Sequence, residues 1–211
     1  SAQACPWATY FHSPGWAACL AAIFPEFKPA ALGCALADGT AVVLPCVAKR
    51  KKRLLRTGTD YKSMEPGVYG GFMAPRLLAP EEIEQLAAAV LRIRGASGRM
   101  VETPWQPLSL PASFISKKLS THIVALSPDF ETLQKQFSRG QKSNLSQARR
   151  KHVAVRRAAT EADVNSYFSL YTETVKRWGE TSGAVYSKEL FMKLFKMDDR
   201  HIIFTLAEVE N

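Results

Sequence analysis

From Val153 to Val209 the spacing of apolar residues switches twice, and those switches limit what the chain can build more than any other feature. Val153, Val155 and Ala158 alternate with basic residues, the period of a half-buried strand. Thr160-Glu-Ala-Asp163 then offers a capping-box-like start. Val164, Tyr167, Phe168, Tyr171, Val175 and Trp178 follow as a stripe down a helix. After a loop around Gly183, Ser187 caps a short helix that turns Leu190, Phe191, Leu194 and Phe195 inward, and His201 to Val209 reads as a strand. The predicted order is strand, helix, helix, strand, so helices and sheet must share a core.

Upstream, Lys28 to Ala37 and Thr40 to Ala48 are apolar runs joined by Asp38-Gly39, which supplies the positive φ angles of a tight two-residue turn. Gly67 to Met73 is a further strand candidate whose three glycines mark a kink, or a place where ligand or backbone comes close. Pro80-Glu81-Glu82 opens a helix carrying Ile83, Leu86, Ala87, Val90 and Leu91, predicted to end by Gly95. Gly98 to Glu102 reads as a strand, Pro104, Pro107 and Pro111 break regular structure, and Leu119 to Leu126 is strand-like. Ser127-Pro128-Asp129 caps a helix with Phe130, Leu133 and Phe137 on one face, and Ser138 to Lys151 continues as a basic helix. The fold class expected is mixed α/β (α+β), with no internal repeat.

At 211 residues the chain suffices for one large domain or two small ones, and 46% hydrophobic content is ordinary for a globular core. Pro25, Glu26, Lys28 and Asp38 interrupt the best apolar run before it reaches the roughly 20 residues of a membrane span. No basic n-region precedes Cys19 to Phe24, and cytoplasmic residence is expected. Cys5, Cys19, Cys34 and Cys46 lack metal-ligand spacing and read as small buried hydrophobes in a reducing compartment; no metal is expected. His12, His122, His152 and His201 are scattered, with no nucleophile and base arranged around them.

The net charge of +9 is concentrated in two blocks. Lys49, Arg50, Lys51, Lys52, Arg53 and Arg56 form one, read as a strand end whose cations keep an edge soluble or touch a ligand. Lys135, Arg139, Lys142, Arg149, Arg150, Lys151, Arg156 and Arg157 form the other, with no acid from Thr132 to Thr160. On a helix Arg139, Lys142, Ser146, Arg149 and Arg150 share one side. That stripe is either a solvated face or a phosphate site, because guanidinium forks match phosphate geometry. An anionic partner is expected, and the resemblance described below implies a small-molecule or lipid-linked precursor. Trp16 and Tyr69 are candidates to line a ligand cleft, though aromatics more often pack in the core.

Several pieces resemble the FemAB family of the GNAT acyltransferase superfamily, whose members pair two GNAT-like domains. Phe11-His-Ser-Pro-Gly-Trp16 is similar to the family's opening, an aromatic ahead of a helix bearing a tryptophan, followed by a hairpin matching Asp38-Gly39 and Val43-Leu44-Pro45. Phe137 to Lys151 resembles its basic helix, with Phe137, Arg139, Lys142, Asn144, Ala148 and Arg149 at matching places, and Val153 to Arg156 with Thr160-Glu161 looks like the entry into its second domain. The resemblance implies a GNAT-like mixed sheet flanked by helices, a first domain over 1–152 and the start of a second over 153–211. It implies transfer of an acyl or aminoacyl group to an amine of a bacterial peptidoglycan or other envelope precursor, in the cytoplasm or at the inner membrane surface. The donor would be acyl-CoA or aminoacyl-tRNA.

The chain departs from the family where the donor binds: no R/Q-x-x-G-x-G/A run occurs, so no cofactor is expected on this chain. The last strand is expected to be left as an open edge, which predicts self-association. Glu173 and Glu180 are the nearest groups for proton removal, and no catalytic residue is assigned. A non-catalytic GNAT-like scaffold is the alternative function. A nucleic-acid module is a further one, without a helix-turn-helix, zinc-finger or RNA-recognition signature, and DNA is not expected as a partner.

Overall fold

The computed structural model describes residues 5–53, 56–63, 68–93, 96–107, 110, 114–117, 120–127, 129–179, 185–197 and 201–209. After a 3-10 turn over Tyr10–His12, α1 (Pro14–Ile23) starts on Ser13, whose hydroxyl accepts the Trp16 N–H at 3.1 Å, with Pro14 in the first turn where its missing donor costs nothing. Strands β1 (Lys28–Ala35), β2 (Ala41–Arg53) and β3 (Arg56–Ser63) form an antiparallel meander. Helix α2 (Pro80–Arg92) leads to β4 (Ala96–Met100), which pairs parallel with β3 and completes a four-stranded mixed sheet of order β1-β2-β3-β4.

Period-2 alternation along β2 separates its two faces. Val47 packs with Trp16, Ala17, Leu20 and Phe27 under α1, while Val42 and Leu44 pack with Ile83 and Leu86 of α2. The sheet therefore has a helix on each face, and α2 is anchored by Glu82, which accepts the Ala79 N–H and forks onto Arg76.

Helices α3 (Phe130–Lys135) and α4 (Arg139–Arg150) precede β5 (Val153–Arg157), α5 (Glu161–Trp178), α6 (Lys188–Lys196) and β6 (Thr205–Val209). Strands β5 and β6 pair antiparallel as a separate two-stranded sheet. Tyr167, Phe168 and Tyr171 of α5 meet Phe191 of α6 at ring-centroid distances of 4.9–5.7 Å. Leu190 of α6 enters the α1 core beside Trp16, and the Met197 methyl is 3.5 Å from where a Cβ on Gly15 would sit. The strand-helix-helix-strand unit thus rests on the first helix of the chain through one face of α6.

Several expectations need correction. The Asp38-Gly39 connection is wider than two residues: Leu36 and Thr40 are still bonded across it, the Gly39 N–H closes a turn on the Leu36 carbonyl, and only Gly39 has positive φ, +82°. Residues 68–72 form no strand; among the described residues the segment's backbone hydrogen bonds to β2 are those of the Met73–Val43 bridge, while Val68 packs with Val47 and Phe72 with Val42 and Leu44, and Gly67 lies outside the described residues. Ser120 to Leu126 is irregular and exposed, since its apolar side chains have no neighbouring strand to cover them, and Leu119 lies outside the described residues. The strand expected from His201 begins only at Thr205, and that expected from Gly98 starts at Ala96. Asp129 itself caps α3, taking the N–H groups of Glu131 and Thr132. Cys5, Cys19 and Cys46 are buried as expected, and burial pushes the Cys46 thiol up to about 11, but Cys34 on the outer strand β1 is exposed.

Candidate functional site

The basic stripe is real as geometry. Ser138 caps α4 through the Gln141 N–H, and the Gln141 side chain returns to the Ser138 N–H at 2.8 Å, a reciprocal box that fixes the helix start. No residue of α4 is buried; Leu145 and Ala148 are half-covered. Arg139, Arg149 and Arg150 are exposed and pair with no carboxylate among the described residues, while Lys142 Nζ donates to the Lys135 carbonyl at 3.2 Å. The basic helix therefore presents three uncommitted guanidinium groups along about 17 Å of axis. By contrast, Arg156 just downstream is fully engaged: it forks onto Glu208 at 2.7 and 3.0 Å and reaches Asp163 at 2.7 Å. These partners, the Asp163 and Glu208 carboxylates, hold β5 to the start of α5 and to β6.

Trp16 lies in the core at 3% exposure, in edge contact with Phe11 at 5.2 Å and Tyr10 at 6.4 Å. Its indole N–H finds no acceptor among the described residues, so its contribution there is packing. Tyr69 is half-buried, its hydroxyl 2.6 Å from Thr121 Oγ1 and its ring edge-on to the partly exposed Trp105. Hydrogen bonds, ion pairs and ring contacts connect neither aromatic to α4 among the described residues. Glu173 is exposed on α5, and Glu180 lies outside the described residues.

A cleft of about 180 Å³ opens between β5 and α6, lined by Arg157, Leu194, Phe195, Ile203 and Phe204. It is smaller than the roughly 300 Å³ at which ligand pockets begin. Among the described residues no group of three His, Cys, Asp or Glu is placed to hold a metal ion. No described helix is long and apolar enough to cross a membrane.

Lys49 to Arg53 form the end of strand β2, as expected, and there they pair residue for residue with β3. Sequence reasoning passed over β3, whose signal is the alternation of Thr57, Thr59 and Tyr61 between polar residues. Lys49 and Lys51 are matched by Glu26 at 3.5 Å and Asp60 at 3.0 Å. Comparison of the chain with family models, curated proteins and solved structures gives no match in any of the three.

Proposed function

We propose that the chain is the acceptor-binding part of a FemAB-like N-acyltransferase or aminoacyltransferase, working in the cytoplasm at the inner membrane surface on a cell-wall or envelope polysaccharide precursor. The observation that supports the reading is the succession of α4 and the unit behind it: an exposed helix whose three arginines meet no carboxylate among the described residues, running directly into a strand-helix-helix-strand unit with an antiparallel strand pair. Lipid- or nucleotide-linked precursors carry phosphates, and guanidinium groups free of internal carboxylates are the side chains that bind them best. In the transfer, the acceptor amine attacks the donor carbonyl carbon. A C–N bond forms, the ester or thioester bond breaks, and the amine proton passes to water or a carboxylate. Acyl-CoA and aminoacyl-tRNA are the two donor classes. Self-association through the edge of β6 that no described strand covers belongs to the same proposal, and sedimentation as a monomer at all concentrations would remove it.

The test is equilibrium binding of a nucleotide-linked muramyl peptide to the wild type and to the Arg139→Gln/Arg149→Gln double variant. Loss of two charge-assisted contacts is expected to weaken binding about tenfold or more. Equal affinity of the two proteins overturns the reading. Weakened binding combined with no transfer from either donor class by the full-length protein would instead make the chain a non-catalytic scaffold.

A further inference from the structure

The segment ahead of α3 is tied down at both ends. Thr121 Oγ1 lies 2.6 Å from the Tyr69 hydroxyl, and Asp129 caps α3 through the Glu131 and Thr132 N–H groups. Between these ties come Ile123, Val124 and Leu126, and Phe130 opens α3; these four side chains are between 54% and 83% exposed. Consecutive side chains diverge from the backbone, so exposure of both Ile123 and Val124 means that the segment rests on the body through neither. Cations bracket this apolar stretch. From Thr103 to Thr160 the only acids in the sequence are Asp129 and Glu131, and Asp129 is engaged in its cap. Lys117 on one side and Lys135 on the other are exposed and have no carboxylate partner among the described residues. Phe137 meets Phe130 edge-on at 6.3 Å, and Lys142 Nζ donates to the Lys135 carbonyl, so the start of α4 folds onto α3. Lys135 stands one short helix from Phe130, on the order of 10 Å along the axis.

We propose that Ile123, Val124 and Leu126, with Phe130, dock on an anionic lipid bilayer, the flanking lysines meeting its headgroups. Charge complementarity and backbone chemistry choose the occupant. Exposed apolar side chains bracketed by cations match the layering of a bilayer surface, where hydrocarbon lies beneath anionic headgroups. Residues 120–126 are irregular, so their N–H and C=O groups need water or headgroups as partners. Insertion of side chains alone to the acyl boundary, about 5–10 Å deep, leaves the backbone at that polar level. A nucleic acid would meet the lysines and leave three aliphatic side chains bare, because bases stack on aromatic rings. A second copy would set the same cations against each other around the apolar contact.

The experiment is co-sedimentation of the protein with vesicles of phosphatidylcholine alone and of phosphatidylcholine mixed with phosphatidylglycerol. Binding is expected to the mixed vesicles and is expected to weaken as salt is raised. The Ile123→Ser/Leu126→Ser variant should partition about 30-fold less strongly, and Lys117→Gln/Lys135→Gln should lose about as much, roughly 30-fold. Leu77→Ser/Leu91→Ser removes two exposed apolar side chains elsewhere and should partition as the wild type does. Near-ultraviolet circular dichroism checks that each variant is folded. Wild-type protein that ignores the mixed vesicles overturns the proposal without recourse to a variant. So does wild-type partitioning by the Ile123→Ser/Leu126→Ser protein, or equal binding to the uncharged vesicles. An oligonucleotide bound through Lys117 and Lys135, or a dimer lost in Ile123→Ser/Leu126→Ser, by a protein that ignores the vesicles would assign the surface to that partner instead and overturn it too. Arg139 and Arg149 are untouched in these variants, so acceptor binding and membrane docking can fail independently.

Discussion

His12 Nε2 lies 3.1 Å from the carbonyl oxygen of Gly70, 58 residues further along the chain, inside a buried contact. The other ring nitrogen, Nδ1, accepts the Thr9 N–H at 3.0 Å, so the neutral ring carries its proton on Nε2 and donates it to Gly70. Burial holds the His12 pKa below its usual value of 6.5, against the Gly70 carbonyl, which favours the protonated form. A depressed folded-state pKa means the contribution to stability is complete above pH 6.5 and is lost as pH falls through the folded value. Denaturant midpoints should therefore be flat above neutrality and drop in mild acid. His12→Ala should cost about 3 kcal/mol at pH 8, from the stranded Gly70 carbonyl and Thr9 N–H, and should lose that part of the acid slope. An unchanged slope in the variant would assign the pH dependence to other groups.

A Cβ placed on Gly98 would stand 2.6 Å from the Tyr61 carbonyl oxygen of the paired strand β3. Backbone on both sides has to move to admit it. Gly98→Ala should destabilise the protein by about 2 kcal/mol. Gly140→Ala, in the open first turn of α4 with only Ser138 Oγ at 3.9 Å, should stabilise it by about 0.5 kcal/mol. Urea titration of the two variants distinguishes the sites, and equal effects would contradict the β3–β4 register.

Arg156 closes β5 against both β6 and α5 through Glu208 and Asp163, and its guanidinium holds the Asp163 carboxyl well below the usual carboxylate range. Arg156→Gln should speed amide hydrogen exchange in Val153–Arg157 and Thr205–Val209 while leaving β1 and β2 unaffected, because the two sheets are not bonded to each other. Exchange in β5 at the wild-type rate would show that strand pairing alone holds that sheet.

Leu190 is 2% exposed and shares a core with Trp16, Leu20 and Val47. Leu190→Ala should cost about 3 kcal/mol and move one unfolding transition common to probes in α1 and α5. Two transitions, with only one shifted, would mean that the strand-helix-helix-strand unit melts apart from the first sheet.

The sequence by itself determined what near neighbours decide. The Thr160–Asp163 capping box, the stripe of α5 from Val164 to Val175 and the inward face of α6 all depend on spacings of three or four residues and appear where those spacings put them, whereas Trp178 is exposed and the basic helix, expected to continue the one before it, starts afresh on a Ser138 cap. The open basic face of α4 was legible for the same reason, since the absence of acids from Thr132 to Thr160 leaves its arginines without local partners. Tertiary structure decided the rest. Arg50 and Lys51 are adjacent and chemically alike in the sequence; the register that sets Asp60 diagonal to Lys51 neutralises one and leaves the other without a carboxylate among the described residues. Trp16 became core because Leu190, from the far end of the chain, packs against it. Residues 68–72 and 120–126 failed as strands because a strand needs a partner edge, and β1 to β4 formed their sheet without them.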